Sequence, residues 1–461
     1  MTFPLPSPLD WRDSARKALK DRPLESLIYL DADHLTVRPL YGDATGVDPI
    51  FAPRPSDADG RAWDLRTLVE GEEAEAVNAA VLTDLEGGAA SVLISGGVAT
   101  DTAALARALD GVALELAAVA FDAGLEGPAA ADALAAVAKG SPRAKLAFHL
   151  DPISALAEVG GADRPLTDHL AEAAACAARH AATYPDAGLF LASGRVVHEA
   201  GGSAAQELGF AAASAIACID AAVDAGLSVE RALSGVVLGV SVDQTYFDAL
   251  AKVRALRLIW KTISGAYGHE TPAVIEARSS RRMLAARDPW PNLLRLTAAG
   301  FAGAVGGADV VVLDGFTRAS GRPDTFARRQ ARNTQIVLME EANLGRVDDP
   351  AAGSWFLDSR THDLARAGWD EAQRIAREGG LIASLEGGAV QSRVAAARTA
   401  WLVAFADGRH QIIGVTKYVD PDVRPAPVEA APDATAPTAT RCKIAPLSPV
   451  RAAASFEEAA Q

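Results

Sequence analysis

The 461-residue chain has three cysteines, Cys176, Cys218 and Cys442, far apart and in no metal-ligand or redox spacing. So odd and sparse a set excludes the disulfide framework that staples small secreted domains. Cys176 and Cys218 fall in alanine-rich helical segments and read as small apolar residues. Basic charge is the scarcer sign: 44 Lys and Arg stand against 59 Asp and Glu, for a formal net charge of -15. That balance excludes a broad phosphate-binding surface and, with it, nucleic acid as a partner. The pairs Arg281-Arg282 and Arg328-Arg329 are short and read as solvated faces of helices or turns. No apolar run reads as long enough to span a bilayer. The N-terminal "MTFPLPSPLDW" has neither a basic region nor an apolar core, so the expectation is a cytoplasmic protein. The glycines of "SGG" and "AVGGAD" lack the strand–GxGxxG–helix context of dinucleotide binding, and Ser193-Gly194 does not form a G-x-S-x-G elbow.

What the chain has is 49% hydrophobic residues in a repeating pattern. Eight short apolar runs, "AWDLRTL", "ASVLIS", "LAAVAFD", "AKLAFHL", "GLFLAS", "GVVLGVS", "AVIEARS" and "ADVVVLD", alternate with longer segments of helical spacing such as 71–86, 101–109, 167–183, 204–225 and 246–264. Short apolar runs separated by helices predict parallel strands with crossover helices. Eight such units close a (β/α)8 barrel over about residues 62 to 320, with a doubly wound open sheet as the alternative. Two helical segments, 324–341 and 361–378, follow, and "GRHQIIGVTKYVD" reads as an extended closing element. Ahead of the barrel, residues 1–60 offer little apolar surface and read as an arm, its first helix capped by Ser7 with Pro8 in the first turn. The chain therefore divides into an N-terminal arm (1–60), a barrel with closing helices (61–420), and a Pro/Ala-rich linker and tail (421–461).

"FARRQARNTQIVLMEEANLGRVDDPAAGSWFLDSRTHDLA", residues 326–365, resembles the signature of the methylmalonyl-CoA mutase family, the acyl-CoA mutases that use adenosylcobalamin. Arg332-Asn333-Thr334-Gln335, Glu340-Glu341, Asp349-Pro350 and Gly353-Ser354 carry it, and "DWRDSARKALK", "LTVRPLY" and "IIGVTKY" extend it over residues 8–420. The resemblance implies a barrel that threads coenzyme A through its axis, followed by a separate cobalamin-binding domain whose Asp-x-His-x-x-Gly histidine ligates cobalt. Here no aspartate is followed by histidine at the second position. The reading is therefore a chain without a cobalamin-binding domain.

"LASGRVVHEAGGSAAQELGF", 191–210, looks at first like the rim of an active site. In catalytic members of the family the stretch after Ser-Gly reads Tyr-His-Met-Gln-Glu-Ala-Gly; here it is Arg195-Val196-Val197-His198-Glu199-Ala200-Gly201. The family's tyrosine falls on Arg195 and its catalytic histidine on Val196, while His198 stands two residues further on, a Cα separation of ~7 Å in extended backbone. Another active-site tyrosine falls on Leu68. Valine cannot donate a hydrogen bond, and arginine is permanently charged and shaped for carboxylates. The pattern resembles the small, non-catalytic subunit of the heterodimeric members. It implies no catalytic, cofactor-binding or metal-ligating residue on this chain, and adenosylcobalamin bound by a large-subunit partner in a complex that takes acyl-CoA as substrate. The charge of Arg195 must find a carboxylate or water, and pairing within the barrel is the expectation. The alternative is an active barrel that borrows cobalamin from a separate small protein. His149-Leu150-Asp151, at a strand's C-terminal end, reads as structural because no second ligand stands at metal spacing. His169 and His180, eleven apart on one predicted helix, read as surface residues.

Overall fold

The computed structural model describes residues 7–20, 22–42, 49–52, 54, 60–429 and 442–458. The eight apolar runs form eight parallel strands, β1 Asp64–Glu70, β2 Ser91–Ser95, β3 Ala118–Asp122, β4 Leu146–Leu150, β5 Gly188–Ser193, β6 Val236–Val242, β7 Ile275–Ser279 and β8 Val310–Val312. They close in sequence order, β8 pairing back onto β1. Burial on both faces explains why these strands read as continuous apolar runs: all seven residues of β6 are buried.

The arm contributes α1, Pro8–Leu19, capped by Ser7, whose hydroxyl accepts from the Asp10 amide while Asp10 accepts from the Ser7 amide. The principal crossover helices are α2 Ala74–Glu86, α3 Thr102–Ala108, α4 Gly127–Val137, α5 Leu166–Ala181, α6 Ala204–Asp224, α7 Tyr246–Ala266 and α8 Pro291–Val305. Beyond β8 come α9 Thr325–Ile336, α10 Trp355–Arg377 and α11 Ala389–Ala406. Among the described residues α6 alone is long and apolar enough to cross a membrane by length and composition. However, 67% of its apolar window is buried, so its composition serves packing between β5, β6 and α10.

Two of the arm's segments are tied to this chain's own helices. Buried Arg254 of α7 donates to the Ile50 carbonyl at 2.9 Å and pairs with Asp349 and Asp358, and Arg360 of α10 pairs with Asp31 and Asp248. Leu9, Tyr29, Leu30 and Phe51 of the arm remain exposed.

Beyond β8, three segments depart from the sequence reading. α11 was not foreseen. "GRHQIIGVTKYVD" is a turn closed by a single bridge between Ile413 and Lys417, not an extended element. The tail packs on the barrel as well. Cys442–Lys443 pair antiparallel with Gly161–Ala162, and Ile444, Leu447, Ala452 and Ala453 are buried. The amides of Leu447, Val450 and Ala452 donate to the carbonyls of Ala157, Glu199 and Arg282. The tail thus lies along the segments that follow β4, β5 and β7, at the C-terminal mouth of the barrel.

Candidate functional site

Inward-facing positions of the strands define the lumen. Leu68, Leu93, Ala120, Ala147, Val310 and Val312 form an apolar cluster there, so Leu68 is an ordinary packing residue. Beside it lies a charge network, buried at Arg66, Glu276 and Arg278 and half-exposed at Asp122. Arg66 of β1 donates to Glu276 of β7 at 2.7 Å, to Asp64 at 3.0 Å and to Ser91 at 2.8 Å. Arg278, two residues after Glu276, pairs with it and with Asp122 of β3 at 2.7 Å. β7 and β3 stand four strands apart in a ring of eight, on opposite walls, so the Arg278–Asp122 pair spans the barrel. Burial opposes the charge on Glu276, but Arg278, His149 and Arg66 overcome it and hold its carboxyl well below the usual range.

His149, at the end of β4, is buried in left-handed backbone at φ 49, and neither ring nitrogen has a hydrogen-bond partner. Its Nε2 lies 3.9 Å from Glu276. Burial, reinforced by the Arg66 and Arg278 cations, pushes His149 down to about 4, so the ring is neutral at pH 7. Asp151, which caps the helix Pro152–Val159 through the Ser154 amide, is pushed up to about 7 by burial and by Asp122.

The segment after β5 is a short helix, Arg195–Glu199, where the sequence reading assumed extended backbone. Gly194 leads into it because a Cβ there would meet the Glu207 carbonyl oxygen at 2.1 Å. Val196 is buried among apolar side chains. Arg195 does not find the carboxylate expected of it: among the described residues it makes no ion pair, and its buried Nε has no partner. Burial and the neighbouring Arg278 weaken its hold on its proton, while Glu199 and Asp122 oppose that from a distance.

His198 is clamped by other elements. Its Nδ1 lies 3.1 Å from Glu207 of α6, and its Nε2 lies 3.0 Å from Ser280 and 3.7 Å from Asp243. With the neutral tautomer assigned from these partners, Nδ1–H donates to Glu207 and Nε2 accepts from Ser280. Glu207 also takes Lys252 at 2.5 Å and the Ser241 amide at 2.6 Å. Burial raises the Glu207 pKa, but Lys252 and His198 outweigh it and hold it at about 2. Burial, with Arg282 and Lys252 beside it, lowers the pKa of His198. Every polar atom of this ring is engaged, and it is only 2% exposed.

Arg281 and Arg282 are not a solvated helix face. They follow β7 and pair with Asp314 and Asp243. Arg318 joins Asp314 to Glu70, closing a charged rim over β1 and β8. Of the pair Arg328-Arg329 on α9, Arg329 is exposed as expected. His169 is buried against Asp163, not on the surface, and His180 is largely covered beside Asp132. Sequence reading missed Glu276, Arg278 and Asp122. The available signal was an acid and a base two apart in "AVIEARS", which the strand period puts on one face.

Residues 93–460 match the methylmalonyl-CoA mutase family. A methylmalonyl-CoA mutase small subunit of Streptomyces virginiae is 37% identical over 425 residues, covering 88% of this chain and 67% of the relative. A probable methylmalonyl-CoA mutase small subunit of Mycobacterium tuberculosis is 37% identical over 433 residues, 88% of this chain and 68% of the relative. The methylmalonyl-CoA mutase small subunit of Propionibacterium freudenreichii subsp. shermanii is 33% identical over 414 residues, 82% of this chain and 63% of the relative. The chain thus spans about two thirds of the length of these relatives, and it belongs to the methylmalonyl-CoA mutase family.

Proposed function

We propose that this chain is the small, non-catalytic subunit of an adenosylcobalamin-dependent methylmalonyl-CoA mutase, working in the cytoplasm beside a catalytic large subunit. One observation carries the reading: the Arg278–Asp122 pair joins opposite walls of the barrel where the family's resemblance implies a coenzyme A channel. A pantetheine arm entering that axis would have to displace this cross-barrel ion pair, in which Arg278 is buried and the Asp122 carboxylate is half-exposed. The mouth fits a corrin no better. Arg195 and Val196 offer neither an aromatic ring nor a neutral donor, His198 has no free nitrogen, and the tail lies along three of the loops that ring the mouth. Adenosylcobalamin and the acyl-CoA therefore belong to the large subunit. The relatives' names, which call them small subunits, and the exposed Leu9, Tyr29, Leu30 and Phe51 on the arm support a one-to-one heterodimer.

Equilibrium dialysis of the chain alone against adenosylcobalamin tests the assignment of the cofactor. The expected outcome is no retention at low micromolar corrin, with retention appearing when the large subunit is co-expressed. Stoichiometric retention by the chain alone would overturn it.

A further inference from the structure

A second cluster of ionisable side chains lies outside the barrel, between two crossover helices. Cys176 and His180 stand four residues apart on α5, hence on one face of it. Asp132 projects from the neighbouring α4, its Oδ1 2.6 Å from His180 Nε2 and 3.7 Å from Cys176 Sγ. The three candidate donor atoms lie within 4.8 Å of one another. Thiolate, imidazole and carboxylate are the donors that zinc takes, and three protein donors leave a fourth tetrahedral position. That position faces outward, since the Asp132 side chain is 50% exposed. The thiol, by contrast, is fully buried, with only weak contacts at 3.7 Å to Asp132 and to the Pro128 carbonyl.

We propose that Asp132, Cys176 and His180 form a binding site for a divalent ion of the zinc class, tying α4 to α5 on the outer wall of the barrel. Arg179 occupies the cation's place in its absence, holding both Asp132 oxygens at 2.9 and 3.0 Å from a half-exposed position. Binding displaces the Arg179 guanidinium and releases one proton, as Cys176–SH plus M²⁺ gives Cys176–S⁻–M²⁺ plus H⁺. Because binding releases a proton from the thiol, affinity rises as pH rises. The site is independent of the mutase reading, because none of its residues faces the barrel lumen or mouth.

The test is titration of the full chain with Co²⁺ at pH 7 and pH 8.5, reading the thiolate-to-cobalt charge-transfer band and the visible bands of tetrahedral Co²⁺. The expected result is one ion per chain, displaced by zinc, with tighter binding at the higher pH. Cys176→Ser, the smallest change that removes the thiol, loses the charge-transfer band, and Arg179→Ala tightens binding about tenfold. Cys442→Ser, at a partly exposed thiol without such neighbours, leaves the spectrum unchanged. Absence of tetrahedral bands in wild type and in Arg179→Ala would overturn the proposal, as would a band lost with Cys442→Ser and kept with Cys176→Ser.

Discussion

His198 illustrates how a histidine beside a carboxylate becomes structure when every polar atom is taken. Glu207, Ser280 and Asp243 surround the ring, and Lys252 secures Glu207 from the other side. His198→Ala is expected to cost about 1–3 kcal/mol of stability, because Glu207 and Ser280 each lose a buried partner. Isomerase turnover of an assembled large–small complex carrying it should stay within a few-fold of wild type. A general acid–base would instead cost roughly 10²–10⁴-fold. A second residue-scale prediction concerns His149. Its folded value, about 4, lies below the ordinary 6.5, so between those limits the unfolded chain binds the extra proton. The neutral ring's contribution is complete above pH 6.5 and is lost as pH falls toward 4, at up to about 1.4 kcal/mol per pH unit. Asp151, raised from 3.8 to about 7, acts with the opposite sign over an overlapping window, so the comparison must be with a variant. The denaturant midpoint of wild type relative to that of His149→Asn should fall as the pH drops from 7 to 4. A difference that does not change with pH would refute the assignment. His149's place at a strand end was legible from sequence; its missing partners were not, because they depend on which residues of β1 and β7 face it.

At the scale of elements, the eight strands were readable because a parallel barrel buries both faces of each strand and leaves continuous apolar runs. The helix Arg195–Glu199 was not readable: "RVVHE" contains two β-branched residues, and helical structure there follows from Gly194 approaching the Glu207 carbonyl. Nor was the tail, whose apolar residues are too sparse to signal burial and find their partners some 280 residues away, as Cys442 does at Ala162. Its docking rests on Gly160, where φ is +73 and an added Cβ would meet the Ile444 carbonyl oxygen and Pro446 at 2.9 Å. Gly160→Ala is therefore expected to destabilise tail docking by roughly 1–2 kcal/mol or more, from the left-handed backbone and the collision together. Limited proteolysis read by mass spectrometry should show faster loss of residues 442–458 with an intact barrel and unchanged far-ultraviolet circular dichroism. Equal cleavage rates in wild type and variant would contradict that role for Gly160.

For the whole molecule, the barrel scaffold of the methylmalonyl-CoA mutase family is retained while its lumen is spent on internal ion pairs. The "RNTQ" region shows how much function was legible. Arg332 pairs with Asp84 at 2.8 Å and Gln335 accepts from the Trp63 indole at 3.0 Å, so these signature residues brace α9 against the barrel. They identify the scaffold and say little about chemistry. The replacements proposed at Leu68, Arg195 and Val196 rest on position in the sequence, but the ion pair across the axis required knowing that β3 and β7 face each other. The most direct test is isomerase turnover of the purified 461-residue chain, folded by circular dichroism and supplied with adenosylcobalamin and methylmalonyl-CoA, before and after addition of the large subunit. The predicted result is no turnover above the protein-free rate for the chain alone, and turnover that tracks the large subunit once it is added. Isomerisation by the chain alone, saturating in both cofactor and substrate, would contradict a non-catalytic role.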